Sequence, residues 1–229
     1  TAYVASVAIN DYVSYMNSNS LTPGQTLSAF ASLDQDSNGA NDILATGTSS
    51  QWDTYASALN NFQSQGVIVW ALTNNFNFDD ADVSAALPEL YTNLDDAWIT
   101  VANVEVTGTS SPSYSLQSAP CGSTADYCMA ADGTNILMAG GNDYSVGGFS
   151  YETASGTSFA APQVSGAVAI LSNHFPNQTP EQWTDRLLAS ANNNLGFTQT
   201  GTVNFGNGIV HGYSNQAGHG ILDLYAALQ

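Results

Sequence analysis

Val67-Ile68-Val69-Trp70-Ala71-Leu72, "VIVWAL", is apolar at every position and runs directly into the polar stretch Thr73-Asn74-Asn75. A strand with one wet face alternates apolar and polar side chains, whereas a strand covered by helices on both faces does not. What precedes it supplies such a cover. Trp52, Tyr55, Ala56, Leu59 and Phe62 recur at the spacing of one helical face, with Ser50 as the expected N-cap and Gly66 just past the end. A helix feeding a doubly covered strand predicts an α/β fold with a mainly parallel central sheet. "WITVANV", starting at Trp98, reads as a second strand of the same kind.

The alternation extends outward in both directions. Tyr3 to Met16 carries apolar residues at Val4, Val7, Ala8, Tyr12, Tyr15 and Met16, one face of a helix. "TLSAFASL" at 26–33 reads as a strand, and "DIL" at 42–44 as the start of another short one. Thr179-Pro180-Glu181-Gln182 combines an N-cap, a proline at the first helical position and a capping-box glutamine, which predicts a helix through Ala189. No repeat, low-complexity tract or linker interrupts the 229 residues, and a chain of this length buries one substantial core. One globular domain is expected.

Nineteen acidic residues stand against a single basic one, Arg186, for a formal net charge of -18. That balance disfavours nucleic acid and anionic lipid as partners. Charged residues make up only 9% of the chain, so Asn, Ser, Thr, Gln and Gly must cover the surface, in the manner of an extracellular or salt-adapted protein. No run of 18 apolar residues occurs that would form a membrane span, and the first residues do not read as a signal peptide. Cys121 and Cys128, in "CGSTADYC", belong to no zinc-type cluster. A local disulfide is expected, with two buried thiols as the other reading.

The chemistry concentrates at Gly156-Thr157-Ser158-Phe159-Ala160-Ala161-Pro162-Gln163-Val164-Ser165-Gly166. Glycine permits a tight approach, the two alanines let a helix pack closely, and amides at a helix start favour developing negative charge. This stretch resembles the nucleophile motif of the subtilisin-like serine peptidases, the subtilases. The resemblance implies a three-layer subtilisin-like α/β fold, a secreted serine endopeptidase acting on polypeptides, and Ser158 as nucleophile. "GVIVWALTNN" resembles the family strand that ends in the oxyanion-hole asparagine; counting from Gly66 gives Asn75, with Asn74 as its neighbouring rival. "AALPELYTNLDDAWITVANV", "CGSTADYCMAADGTNI" and "GHGILDLYAAL" resemble the subtilase passenger domains of bacterial autotransporters in particular. Asp132 stands where that group commonly has proline, a departure that affects a turn.

A subtilase also needs a histidine and an aspartate located before the asparagine. The three histidines here, His174, His211 and His219, all follow Ser158. His174 lies roughly 24 Å along a continuous helix from the serine, out of reach. His219 reads as a packing residue, and His211 as structural or on the surface. "TAYVASVA" resembles the family's His-Gly-Thr-x-Val-Ala helix entered at its threonine. Residues 1–229 are therefore expected to be the C-terminal part of a peptidase domain, with the Asp and His on an upstream segment. That segment is either part of the same polypeptide or a cleaved partner piece. The alternative is a catalytically inactive scaffold with a structural or binding role. "LTPGQTLSAFASLD" resembles the family's Gly-Val-Ala-Pro turn and following strand; in "NDILATGT", Ala45 replaces the usual asparagine. A sedolisin-like reading would place a Glu/Asp pair on a preceding helix, but no Glu precedes Glu89.

The resemblance requires no cofactor for the reaction. Asp34, Asp36, Asn38 and Asp42 have the DxDxNG spacing that gathers oxygen ligands around calcium, although Ala45 occupies the closing position. Asp79, Asp80 and Asp82, with Asp95 and Asp96, read as solvated loop carboxylates.

Overall fold

The structure, a computed structural model, describes residues 8–30, 48–109, 111–140 and 151–229. Its first helices are α1 (Ile9–Ser18), α2 (Pro23–Phe30) and α3 (Ser49–Gln63). The central sheet follows with β1 (Ile68–Ala71), β2 (Trp98–Thr107), β3 (Ser113–Leu116) and β4 (Cys128–Ala131). Strand β2 is the middle of that sheet. It pairs in parallel with β1, Ile68 opposite Trp98, and with β4, Thr100 opposite Cys128. Its outer half pairs antiparallel with β3, Val104 opposite Leu116. From Trp98 to Val104 every residue of β2 is buried, so the missing alternation in the sequence has its cause in cover on both faces.

A hairpin of β5 (Ile136–Ala139) and β6 (Tyr151–Ala154) leads into the long helix α4 (Thr157–His174). Thr157, Ala160, Ala161, Val164, Ala167 and Leu171 form the buried face of α4, which packs across β1, β2 and β4. Small side chains at 160, 161 and 167 bring this helix close to the sheet. Helix α5 (Pro180–Ser190) packs on α4; the hairpin β7 (Gly201–Asn204) with β8 (Val210–Tyr213) and the short α6 (Leu224–Ala227) complete the chain. Ile9, Tyr12, Leu27, Trp52 and Ala56 bring α1, α2 and α3 into the same core. The result is the three-layer α/β fold with a mainly parallel sheet.

Several expectations change. Residues 26–30 are helical, not a strand, because Thr22 caps α2: the Thr22 amide donates to Gln25 Oε1 (2.9 Å) and the Gln25 amide to Thr22 Oγ1 (3.3 Å), with Pro23 at the first helical position. The N-cap of α3 is Thr48 rather than Ser50, its amide donating to Gln51 Oε1 at 2.8 Å. The first helix starts at Ile9; residues 1–7 lie outside the described residues, as do 42–44 and the candidate calcium set Asp34, Asp36, Asn38 and Asp42. Asp79, Asp95 and Asp96 are exposed, but Asp80 and Asp82 are buried rather than solvated, because backbone amides and, for Asp80, the Ser123 hydroxyl satisfy their oxygens. The helix predicted at Thr179 is present with its capping box. Cys121 and Cys128 form a disulfide across the turn that feeds β4.

The two late histidines have structural partners. His219 is fully buried, its Nε2 lies 2.9 Å from the Asp126 carbonyl and its Nδ1 3.0 Å from Nδ1 of His211. A carbonyl can only accept, so His219 carries its proton on Nε2 and accepts from His211 at Nδ1. Burial first, and His211 beside it, push the His219 pKa down to about 4, against a hydrogen bond to Asp126 that raises it. The folded chain thus binds this proton more weakly than the unfolded chain. The stability that His219 contributes is complete above pH 6.5 and is lost as the pH falls toward 4. Over that window, chemical denaturation should lose about 3 kcal/mol from this group, and His219→Gln should flatten that part of the slope. An identical pH slope in the variant contradicts the assignment.

Candidate active site

The carboxyl ends of the parallel strands converge on the first turn of α4, the usual location of a site in an open parallel sheet. Strand β1 runs into Leu72, whose amide donates to the Val101 carbonyl of β2 (3.0 Å). Strand β4 runs into Asp132 and Gly133. The Gly133 amide donates to Asn103 Oδ1 of β2 (2.8 Å), and the Gly133 carbonyl accepts from the Gly156 amide (3.0 Å). A Cβ on Gly133 would collide with the Gly156 carbonyl and the Ala160 amide, so only glycine allows α4 to start here. Asp132, at the position that departs from the autotransporter pattern, caps this junction. Its carboxylate accepts from the Val106 amide (3.1 Å) and the Thr134 amide (3.0 Å), and its carbonyl from Gln163 Nε2 of α4 (2.6 Å).

Gly156 is the N-cap of α4, with φ at 148°, a conformation L side chains rarely adopt. Its bare Cα lets the Asn74 carboxamide lie alongside, where a Cβ would sit 3.2 Å from both Oδ1 and Nδ2. Thr157 is 1% exposed and faces the sheet: its hydroxyl donates to the Leu72 carbonyl (2.7 Å), and its amide donates to Asn74 Oδ1 (3.0 Å). The next residue on a helix points about 100° away. Ser158 is accordingly exposed, and neither its hydroxyl nor its amide has a partner among the described residues.

The two adjacent asparagines have different environments. Because Asn74 Oδ1 accepts from the Thr157 amide, the Nδ2 of that group is left as a donor beside Gly156, with no partner among the described residues. The Asn75 carboxamide turns back into its own loop, Oδ1 accepting from the Asn77 amide (3.0 Å). Both asparagines are exposed. The Thr157 amide is taken by Asn74 and the Phe159 amide by the Gly156 carbonyl, which leaves, among the described residues, the Asn74 Nδ2 and the Ser158 amide as the free donors at this helix start, a type suited to an anionic oxygen.

No histidine hydrogen-bonds Ser158. His174 occupies the last turn of α4, edge-on to Phe175, and His211 and His219 are paired with each other. Among the described residues no group of three or more His, Cys, Asp or Glu could hold a metal ion, and no helix is long and apolar enough to cross a membrane. Sequence reasoning did not single out Thr157, Asn103 or Asp82 at this site. Only the burial of a polar residue inside an apolar pattern, as at Asn103 within "WITVANV", could have flagged them.

The fold and the motif have counterparts among known proteins. A crystal structure of fervidolysin from Fervidobacterium pennivorans, a keratinolytic enzyme related to subtilisin, superposes with a TM-score of 0.54 and 26% identity, covering 77% of this chain and 24% of that one. The A-subunit of the AB5 toxin from E. coli shares the fold at a TM-score of 0.51 and 19% identity, with 78% and 55% coverage. An extracellular serine protease of Serratia marcescens is 29% identical over 132 residues, 51% of this chain. The chain thus spans only 12% of the Serratia marcescens protein and about a quarter of fervidolysin. The family model of the Peptidase S8 proteins matches residues 3–219, which include the serine helix and the strand leading to Asn74. The chain belongs to the subtilase family.

Proposed function

We propose that the protein is a secreted serine endopeptidase in which Ser158 is the nucleophile and Asn74, rather than Asn75, is the side-chain donor of the oxyanion hole. The observation that carries this reading is the bridge from the Thr157 amide to Asn74 Oδ1, which leaves the Asn74 Nδ2 as a donor beside Gly156, at the helix start that presents an exposed Ser158. Family membership supports serine-peptidase chemistry, and a polypeptide substrate follows from it. The low share of charged residues, which leaves Asn, Ser, Thr, Gln and Gly to cover the surface, supports an extracellular location, as does similarity to a protease that is itself extracellular.

In this mechanism Ser158 Oγ attacks the peptide carbonyl while a histidine takes its proton. The carbonyl oxygen becomes an oxyanion held by Asn74 Nδ2 and the Ser158 amide. The C–N bond then breaks as the histidine returns the proton to the leaving amine, and water hydrolyses the acyl-enzyme. The histidine and its orienting aspartate come from residues preceding Thr1, because His174, His211 and His219 are all committed elsewhere. A hydroxyl without a base is not activated.

Hydrolysis of an unstructured polypeptide by the protein with its upstream residues tests the reading. Ser158→Ala should fall to background. Asn74→Ala should lower kcat by about 10²- to 10³-fold with little change in KM, as loss of an oxyanion donor does, while Asn75→Ala should stay within about threefold. Residues 1–229 alone should show no turnover. A larger loss for Asn75→Ala than for Asn74→Ala, or undiminished turnover by Ser158→Ala, contradicts the assignment.

A further inference from the structure

The loop between β1 and the Asn74 site has a second anchor, a buried carboxylate. Asp82 is 1% exposed, and both of its oxygens are engaged by backbone amides. Oδ2 accepts from the Thr73 amide (2.9 Å), and Oδ1 from the Ser84 (3.1 Å) and Ala85 (3.2 Å) amides. Thr73 is the link between Leu72, which receives the Thr157 hydroxyl, and Asn74, which receives the Thr157 amide. The Thr73 carbonyl also accepts from the Ala119 amide (3.0 Å), so both backbone polar groups of Thr73 are held. The backbone around Asp82 is tied to α1 as well. The Ile9 amide donates to the Ala81 carbonyl (2.9 Å), and Ala8 forms an antiparallel bridge with Asp82.

We propose that Asp82 is a positioning residue for the oxyanion hole: its carboxylate holds the Thr73 amide and thereby fixes Asn74 against Thr157 and beside Ser158. The proposal rests on the reading of Asn74 as the oxyanion donor. It also explains why a chain that carries -18 and could place any carboxylate in water buries this one. A turn needing only a cap for Ser84 and Ala85 uses one oxygen; the second reaches nine residues back to the end of the strand that leads to Asn74. An ionised carboxylate is a stronger acceptor for such amides than a neutral one. Burial raises the Asp82 pKa to about 6, with the amides of Ala85, Thr73, Ser84 and Asp82 itself pulling it down. The carboxylates on the adjoining segments are Asp79 and Asp80 on its own loop, Asp11 on α1 and Glu89 in the following turn. Asp80 is engaged by the Ser123 amide and hydroxyl and the Ala81 amide, and Asp79 by Asn10. Loss of the Asp82 charge therefore weakens its hold on Thr73 together with its hold on Ser84 and Ala85, and of these amides only that of Thr73 adjoins Asn74.

The test uses the protein with its upstream residues and has two readouts. In 15N-labelled wild type, the Thr73 amide and the Asn74 side-chain amide should titrate together with one midpoint near pH 6, and Asp82→Asn should abolish that shared titration. The same variant should lower kcat, per active site counted by stoichiometric serine labelling, roughly tenfold to a hundredfold with KM within about twofold, the cost of a misplaced catalytic group. An Asp82→Asn protein that is merely less stable, with unchanged kcat per active site and an Asn74 resonance indifferent to the substitution, overturns the proposal. So does a wild type whose Asn74 resonance does not follow the Thr73 titration, a measurement that needs no variant to fold. An inactive wild type in which the two resonances still titrate together would remove the catalytic reading and support the coupling of Asp82 to Asn74.

Discussion

The two hydrogen bonds of Thr157, from its amide to Asn74 and from its hydroxyl to Leu72, hold the site together. They join the first turn of α4 to the end of β1 across more than eighty residues of sequence. Everything around them serves that junction. Gly156 removes the side chain that would push Asn74 away, and Gly133 removes the one that would push α4 off β4. Asn103 and Asp132 tie the residues after β4 to β2, and Asp82 ties the residues after β1 to α1. A buried threonine followed by an exposed serine lets a helix start be fixed to the sheet while its next side chain stays open to solvent.

Buried polar groups carry this architecture, although the chain is acidic and its one basic residue, Arg186, stacks over Phe175 and donates to the Ala227 carbonyl. With so few cations, carboxylates inside the fold must be satisfied by amides. Asp82 uses amides alone, Asp80 uses two amides and the Ser123 hydroxyl, and the half-buried Asp132 uses two amides. Amide-satisfied carboxylates need no ion pair, so they are insensitive to the screening that would weaken surface charge pairs in salt. The same economy holds for His211 and His219, which sit against each other and a carbonyl rather than against an acid.

Much of this was legible in the sequence, for identifiable reasons. "WITVANV" revealed a doubly covered strand because burial on both faces erases alternation; "VIVWAL" is a parallel strand of the same sheet, but of β1 only Ile68 is fully buried and Val69, Trp70 and Ala71 are half-buried. Thr179-Pro180-Glu181-Gln182 marked its helix because the whole capping signal is local. The same signal at Thr22-Pro23-Gly24-Gln25 was overridden by the apolar run after it, so α2 was read as a strand. Ser158 stood out because it lies in an eleven-residue motif, Gly156 to Gly166, in which Gly156, Thr157, Ala160, Ala161 and Val164 are buried. The choice between Asn74 and Asn75 was not legible. Beyond the end of β1 no periodicity fixes the register, and the bond that distinguishes them comes from a residue 83 positions away. Asp80 and Asp82 looked solvated because an acidic loop gives no local sign that distant amides will converge on it.

The account depends on Ser158 being activated in the assembled protein. Fluorophosphonate labelling of the natively purified material, with peptide mapping of the tagged residue, measures that directly. The account predicts a single label on Ser158, because only a serine with a base within reach and an oxyanion hole beside it reacts at an appreciable rate. Label on another residue, or none on Ser158 while a known serine peptidase labels in parallel, would contradict it and leave a subtilase fold put to a use other than acyl transfer.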